Sequence, residues 1–201
     1  YSYPHGIAVT NKYIYVGNNT SRIWIHLKGS RINNMNNHNA GSSLSYSWGM
    51  SVNSGGSKLV IGDYSKNRVV EFRINTGASF SGGGQAMLSY NQATSSSYSS
   101  SNGYFRRPTD AGYDSSGNIY ALDLYGHRIQ KFNSSLVYQA KTGSYSTSSG
   151  FRYPYGMHVD SNDKIYVTDF YNYAVRQYNT SLSETATYGG GAGTRLSAAK
   201  K

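Results

Sequence analysis

The sequence lacks cysteine, and its 201 residues include only 9 acidic residues and 3 prolines. The absence of cysteine excludes a disulfide framework, a thiolate zinc site and a cysteine nucleophile. The shortage of acidic residues disfavours a helical fold, because helical proteins are normally rich in Glu as well as in Ala, Lys and Leu. No apolar run approaches about 20 residues, so no segment has the length of a membrane-spanning helix.

Tyrosine and glycine are abundant instead, with 21 and 23 copies, and serine and asparagine are common. These residues are typical of strands and turns. The 19 Lys and Arg residues give a net charge of +10, and such an excess attracts polyanions. The basic residues are scattered, however, and no run of about five to eight of them indicates a nucleic-acid-binding tail. The charge therefore fits either a polyanion partner or solubility alone.

A group of three short strands recurs four times along the chain. The first strand of each repeat contains a glycine, at the third position in every repeat but the third, where Asp110 replaces it. The second and third strands alternate large apolar residues with small or polar ones. This is β patterning with hairpin turns. The first strands are predicted at 4–10, 47–53, 108–114 and 154–160, the second at 14–18, 59–63, 119–123 and 165–169, and the third at 22–27, 68–72, 128–132 and 174–178. A fourth strand is predicted at 85–90, 136–141 and 182–188.

The spacing of the repeats predicts a β-propeller. The second strands begin at residues 14, 59, 119 and 165, so one longer step indicates an insertion of about 15 residues, for which the serine-rich stretch 95–102 is the expected place. Four antiparallel strands recurring every ~45 residues are typical of propeller blades. We predict an all-β propeller of four blades, each a four-stranded antiparallel sheet. The domain spans 1–194, with blades at 3–40, 45–92, 104–145 and 151–190, a mobile serine-rich loop at 93–103 and a basic tail at 195–201.

The third and fourth repeats carry residues that resemble the NHL repeat. The segments GNIYALD at 117–123, GHRIQKF at 126–132 and YPYGMHVD at 153–160 follow the family pattern. The resemblance covers residues 3–190 and implies a propeller, a fold that serves many functions. The family usually closes with six blades, whereas four are visible. The chain could close as a four-bladed ring, form part of a longer protein, or complete itself with a neighbour.

The first strands of a propeller line its axis, so equivalent residues of the four blades form rings. The predicted ligand-binding mouth consists of His5, Trp48, Thr109 and Tyr155, with His158 one ring further in. An aromatic mouth suits a sugar, a base or an apolar side chain. The alternative is that Trp48 and Tyr155 only fill space around the axis.

Enzymatic relatives imply two further possibilities. The resemblance to amidating lyases would assign metal ligands among axial histidines, here His5 and His158, but two ligands at different depths do not make a site. Lactonase-like propellers use convergent axial acids, for which Asp114 and Asp160 are the candidates. We therefore predict no enzyme activity, no metal and no cofactor. Three further acids are expected to cap the turns after the second strands: Asp63, Asp123 and Asp169.

Arginines begin three of the third strands, and an arginine pair precedes the third blade. The resemblance to NHL relatives that bind single-stranded RNA implies anion binding on a basic propeller face. The alternative is that these side chains bond the backbone or the Asp turns. The candidate anion-binding residues are Arg22, Arg68, Arg106, Arg107 and Arg128. Glycosylation acceptor motifs occur at Asn18, Asn19, Asn133 and Asn179.

These observations favour a non-enzymatic binding or structural module, located outside the cell or on its surface and able to act as one unit of a larger assembly. Its expected partner is another protein or a second copy of the chain. The first alternative is binding of RNA or an acidic glycan on a basic face. The second alternative is a metal-dependent lyase or hydrolase that resembles the enzymatic NHL propellers.

Overall fold

The computed structural model describes residues 3–27, 30–35, 44–75, 77, 87–147 and 149–190. Within these residues the strands form four four-stranded sheets, each with its strands in chain order. Blade 1 contains β1 (Pro4–Val9), β2 (Tyr13–Asn18), β3 (Ile23–Leu27) and β4 (Ser30–Met35). Blade 2 contains β5 (Ser47–Val52), β6 (Lys58–Asp63), β7 (Arg68–Ile74) and β8 (Leu88–Ala93). Blade 3 contains β9 (Pro108–Tyr113), β10 (Ile119–Asp123), β11 (Arg128–Phe132) and β12 (Tyr138–Thr142). Blade 4 contains β13 (Pro154–Val159), β14 (Ile165–Asp169), β15 (Ala174–Tyr178) and β16 (Glu184–Gly189).

The predicted all-β propeller of four blades is confirmed. The first three strands of every blade agree with the predicted bounds within two residues. The fourth strands of blades 2, 3 and 4 begin two or three residues later than predicted. In blades 3 and 4 the preceding turns use residues that the pattern had assigned to the strand. Leu136 and Leu182 adopt φ angles of 54° and 62° in these turns. The predicted tail at 195–201 lies outside the described residues, and so does part of the first predicted blade.

The insertion lies in a different place from the one predicted. Phe72 of β7 pairs with Tyr90, 18 residues further on, whereas Phe132 pairs with Tyr138 and Tyr178 with Glu184, each 6 residues further on. The hairpin between β7 and β8 therefore contains most of the extra residues. Composition suggested the serine-rich stretch because serine is common in loops, but composition does not report where strands pair.

The serine-rich loop between blades 2 and 3 has specific anchors. Arg128 donates to the carbonyl oxygens of Ser100 at 2.6 Å and Ser101 at 3.1 Å. The backbone amide of Gly103 donates to Gln130 Oε1 at 2.9 Å. The predicted mobility of this loop stays a prediction, and these contacts identify what would restrain it.

The core lies between the blades. We call the side of a blade that contacts the preceding blade its back face, and the other side its front face. Leu59 and Ile61 on the back face of blade 2 pack with residues of blade 1, and Val60 on its front face packs with blade 3. The inner strands contact in the order β1, β5, β9 and β13. Strand β10 of blade 3 is buried throughout, whereas β2 and β14 alternate buried and half-buried residues. Within the described residues, blades 1 and 4 are therefore covered by another blade on one face only.

Glycine recurs in the first strands because adjacent blades approach closely at the axis. A Cβ on Gly49 would lie 2.1 Å from Asp110 Oδ1 and 2.6 Å from the carbonyl oxygen of Thr109. In blade 3 Asp110 replaces the glycine, and its Oδ2 accepts a 2.8 Å hydrogen bond from the amide of Met157. This buried carboxylate ties blade 3 to blade 4.

The acids that end the second strands were expected to cap the turns after them, and this role is minor. Asp123 Oδ1 accepts a 2.8 Å bond from the amide of Arg106, in the segment that enters the blade, and a weaker 3.3 Å bond from Gly126 in the turn. Its Oδ2 lies 3.0 Å from Arg128 Nε. Burial raises the pKa of Asp123, and Arg128 opposes that shift. The equivalent ion pairs are Arg68 with Asp63 and Arg176 with Asp169.

Candidate functional site

One end of the propeller is covered by aromatic rings. This end is formed by the starts of the first strands, the turns after the second strands and the segments that enter the blades. Rings from all four blades make a continuous series of contacts there. We call this surface the aromatic face; its ring residues are His5, Tyr46, Trp48, Tyr64, Tyr125, His127, Tyr153, Tyr155, Phe170 and Tyr171.

The centre of the aromatic face joins blades 1, 2 and 4. The ring of His5 stacks on Trp48 with a centroid distance of 4.8 Å and an interplanar angle of 27°. His5 Nε2 lies 2.9 Å from the hydroxyl of Tyr46. Trp48 also contacts Tyr64 at 4.8 Å and Tyr155 at 5.9 Å between ring centroids. The structure thus brings together His5, Trp48 and Tyr155, three of the five residues predicted for the axial mouth.

The other two predicted mouth residues lie elsewhere. Thr109 is fully buried beneath the face, so its side chain is not open to a ligand. His158 is exposed and lines a cavity of about 330 Å³ between the first strands of the blades, together with Ile7 and Met157. The alignment of the first strands placed His158 one step deeper along the axis than the mouth. It could not show whether the side chain lines the mouth or the cavity wall below it.

The face continues across blade 4 towards blade 3. Tyr155 contacts Phe170 at 5.3 Å, Phe170 contacts Tyr171 at 4.8 Å and Tyr171 contacts Tyr153 at 5.5 Å, all between ring centroids. Tyr153 in turn meets His127 at 4.7 Å and 81°. Edge-to-face contacts of this kind hold the rings in fixed relative orientations.

Three arginines lie among these rings. The guanidinium carbon of Arg107 is 5.0 Å from the ring centroid of Tyr64, and that of Arg152 is 5.4 Å from Tyr171. Arg106 donates to the carbonyl oxygen of Tyr125 at 2.6 Å. Cation–π and backbone contacts position the three guanidinium groups while leaving further N–H donors on each. Arg106 and Arg107 were predicted anion-binding residues; Arg152 was missed.

The aromatic face has no exposed carboxylate. All nine acidic residues lie in the described part of the chain, and each is placed elsewhere or buried. Those near the face are the buried partners of the arginine pairs: Asp63, Asp123 and Asp169. The others are buried in the core, at the opposite hairpins or on β16: Glu71, Asp110, Asp114, Asp160, Asp163 and Glu184. The charge on the face is therefore positive.

Burial favours the neutral forms of several ring side chains. Burial and the neighbouring Tyr125 raise the pKa of Tyr64 to about 12. Burial also raises the pKa of Tyr155 and lowers the pKa of His5. The shifts therefore favour the neutral forms of Tyr64, Tyr155 and His5. The arginines supply the charge and the aromatic rings supply flat apolar surfaces.

The remaining predicted anion-binding arginines have other contacts. Arg68 and Arg128 form ion pairs with buried aspartates, whereas Arg22 is exposed on blade 1, where Asn18 stands in place of the aspartate. Anion binding by these three arginines stays a prediction. Sequence reasoning missed Arg152 and seven of the ten ring residues of the aromatic face. The signal for Tyr64, Tyr125 and Tyr171 was their place within two residues of the second-strand aspartate.

The candidate axial acids hold hairpin turns. Asp114 Oδ1 accepts hydrogen bonds from the amides of Ser116 and Asn118, and Asp160 Oδ1 accepts them from Asn162 and Lys164. Within the described ranges, no group of three or more His, Cys, Asp or Glu side chains could hold a metal ion. These carboxylates therefore have a structural use that requires no substrate.

The glycosylation acceptors differ in exposure. Asn133 and Asn179 lie in the turns before the fourth strands, and each side-chain oxygen accepts two backbone hydrogen bonds. Asn18 is buried at 2% exposure, and its side-chain oxygen accepts a bond from the amide of Thr20. Asn19 is half-buried. Asn133 and Asn179 are therefore better placed than Asn18 to carry a glycan.

The architecture defines a β-propeller, and comparison with known families identifies its repeat. The NHL repeat model matches residues 105–132, which span most of blade 3. Together with three further blades of the same topology, this match supports an NHL-repeat propeller. No curated protein matches it at a significant level. No helix in the described residues is long and apolar enough to cross a membrane.

Solved propellers share the fold at low sequence identity. The chain is similar to a streptogramin B lyase at 14% identity with a TM-score of 0.67, covering 93% of this chain and 54% of that one. It is also similar to virginiamycin B lyase from Staphylococcus aureus at 14% identity with a TM-score of 0.64, covering 92% and 55%. The WD40 repeats of RRP9 match at 13% identity with a TM-score of 0.69, covering 94% and 52%. The chain thus spans about half the length of these proteins, and the likeness establishes the fold alone.

Proposed function

We propose that this protein is a non-enzymatic binding module and that its aromatic face binds single-stranded nucleic acid. The observation that carries the proposal is the stack of His5 on Trp48 beside Arg107, on a face without an exposed carboxylate. Aromatic rings stack with the bases of a single strand, and positive groups track its backbone. Bases in a duplex are already stacked and cannot use such a platform.

An acidic glycan is the competing ligand. Its anionic groups would pair with the arginines, but its hydroxyl groups need hydrogen-bond acceptors as well as donors. Carboxylates are the strongest acceptors, and those near this face are buried and paired with arginines. The combination of planar rings with guanidinium donors therefore favours a base-bearing strand.

The structural use of the acids and histidines supports a non-enzymatic role. Asp114 and Asp160 bind turn amides, and His5 is bonded to Tyr46. The lyases among the similar structures are 14% identical to this chain, so their activity does not carry over. We also propose an extracellular or surface location, which the exposed turns at Asn133 and Asn179 would allow; binding by the aromatic face does not depend on it.

The test is fluorescence anisotropy with a labelled oligouridine, at salt concentrations from low to physiological. We expect the logarithm of the association constant to fall linearly with the logarithm of salt, with a slope of roughly −0.7 for each phosphate neutralised. A duplex of equal length and heparin serve as competitors. No binding at low salt would contradict the proposal, and stronger binding of heparin that is unaffected by Trp48→Ala would favour the acidic glycan.

A further inference from the structure

The back face of blade 1 has the composition of an interior face, but no blade in the described part of the chain covers it. Cross-strand pairing places Ile7, Val16 and Trp24 in one row, and Val9, Ile14 and His26 in the next. Ile7 and Val9 are 58% and 54% exposed. The matching rows of blade 2 consist of Met50, Ile61 and Val70, and of Val52, Leu59 and Phe72.

In blade 2 these positions belong to the core cluster shared with blade 1. The corresponding residues Met157, Ile165 and Val167 of blade 4 are buried against blade 3. The same positions are therefore covered in every blade that has a preceding neighbour. Blade 1 has the apolar side chains for such a neighbour, and the described part of the chain does not supply one.

The front face of blade 4 is the complementary surface. Pairing places His158, Tyr166 and Gln177 in one row of this face and Thr168, Val175 and Tyr188 in the other. Tyr166, Thr168 and Val175 are half-buried and Tyr188 is 51% exposed. The equivalents of Tyr166 and Val175 in blade 3 are Tyr120 and Ile129, which are fully buried against blade 4.

The internal interfaces show how a front face receives a back face. Between blades 3 and 4, apolar residues form one cluster, and Tyr120 and Lys131 donate to the carbonyl oxygen of Thr180 at 3.1 Å and 2.9 Å. Tyr166 on blade 4 stands where Tyr120 stands on blade 3. Blade 4 thus retains the hydroxyl group that crosses such an interface.

We propose that a second copy of this chain covers both end faces, so that two copies close head to tail into one ring. The front face of blade 4 in each copy contacts the back face of blade 1 in the other. Both surfaces are halves of an interface that the chain already makes three times, and a head-to-tail interface that closes forms a ring. Two copies would give eight blades, which is within the range of about four to eight in known propellers.

The similar structures agree with this size. The chain covers 54% of the streptogramin B lyase chain and 52% of the RRP9 chain while matching over 90% of itself. Two copies therefore have approximately the extent of one such chain. The curvature of these four blades is thus compatible with a ring roughly twice as long.

The salt dependence of ring closure should be opposite to that of polyanion binding. Each copy has a net charge of +10, so two copies repel each other at low salt, and added salt screens this repulsion. Salt does not weaken the apolar contacts between the end faces. Association of two copies should therefore strengthen with salt under conditions in which nucleic-acid binding weakens.

The experiment is light scattering after size exclusion on the chain and on three variants. Val9→Glu places a charge on the back face of blade 1, and Val175→Glu places one on the front face of blade 4. Val137→Glu is the matched control, because Val137 is 55% exposed in a hairpin of blade 3, away from both end faces. Circular dichroism and thermal unfolding establish that each variant is folded.

The expected result is twice the chain mass for the native protein and for Val137→Glu, and the single-chain mass for Val9→Glu and Val175→Glu. A native protein of single-chain mass at all concentrations and salt levels would overturn the proposal. Loss of association in Val9→Glu but not in Val175→Glu would overturn it in favour of a back-to-back dimer. Masses that increase without limit would show that the contacts form a filament and not a ring.

Discussion

Arg176 Nε lies 2.8 Å from Asp169 Oδ2, although Arg176 stands two residues after the position that arginine occupies in blades 2 and 3. In those blades Arg68 and Arg128 pair directly across from Asp63 and Asp123. Ala174 occupies that position in blade 4. Arg176 lies on the same face of the strand, two residues further along, and its long side chain reaches back to Asp169. The ion pair is therefore retained, although the arginine no longer occurs at the equivalent sequence position.

Replacing Arg176 with Ala should destabilise the protein by about 3–5 kcal/mol, because the carboxylate of Asp169 would stay buried without a counter-charge. Urea unfolding measures the loss. Adding Ala174→Arg should recover part of the stability by placing a guanidinium where blades 2 and 3 have one. The exposed Arg22→Ala is the control and should change stability by less than about 0.5 kcal/mol. An effect of Arg176→Ala as small as that of the control would argue against this role.

Replacing Gly49 with Ala should cost about 1–3 kcal/mol through overpacking, since the new methyl group would meet Asp110 Oδ1 and the carbonyl oxygen of Thr109. Gly55→Ala is the control, because no atom lies closer than 3.7 Å to a Cβ at that position. Adding Asp110→Gly should relieve the clash with the carboxylate but not the one with the backbone, and Asp110→Gly alone measures the separate cost of losing the bond to Met157. Thermal unfolding of the single and double variants measures these differences, and equal stability of the two single variants would contradict the close approach.

The aromatic rings and the arginines of the aromatic face should have distinguishable effects on binding. Trp48→Ala should weaken oligouridine binding by about 1–3 kcal/mol with an unchanged salt slope, because stacking is lost. Arg107→Ala should reduce the magnitude of the slope by about 0.7, because one phosphate contact is lost. Arg73→Ala serves as the control, since Arg73 is exposed at the opposite end of blade 2 and bonds Asn91. If all three variants bound equally well, the ligand would lie elsewhere.

Acidification from pH 7 to pH 5 should destabilise the fold. Burial lowers the pKa of His127 and of His5 below the value near 6.5 of the unfolded chain. Below pH 6.5 the unfolded state therefore binds protons that the folded state does not. The stability that the neutral histidines contribute above that pH is lost as the pH falls. His127 Nδ1 also accepts a 3.2 Å bond from the amide of Tyr153, which protonation would break. Thermal unfolding across this range should show a flatter profile for His127→Gln, and an unchanged profile would contradict the prediction.

Glycan should occur on Asn133 or Asn179 of native material and not on Asn18, because Asn18 is buried. Peptide mass spectrometry identifies the occupied sites. Asn133→Asp and Asn179→Asp keep the side-chain oxygen that binds the turn amides and remove the acceptor nitrogen, so they should fold normally and lose the added mass. Bare peptides at both sites would remove the support for a secreted glycoprotein.

Much of the architecture was predictable because the determinants of each strand are local. Alternation, turn residues and the recurrence of Ile119 and Ile165 at equivalent places indicated strands and blades without any knowledge of contacts. The insertion after Ile74 was predicted, but in the wrong place, for the opposite reason. Its position depends on which residues pair across β7 and β8, and the sequence of neither segment alone determines that pairing.

The sequence by itself determined the strands and the four-fold repeat, since hydrophobic period and turn residues are properties of short segments. Only the tertiary structure decided which side chains meet. Tyr64 and Arg107 are far apart in the chain and converge because adjacent blades bring a turn and a connecting segment to one end of the propeller. The exposure of the outer faces of blades 1 and 4 was decided in the same way. Their residues resemble those of the inner blades, and they differ because the described part of the chain places no neighbouring blade on them.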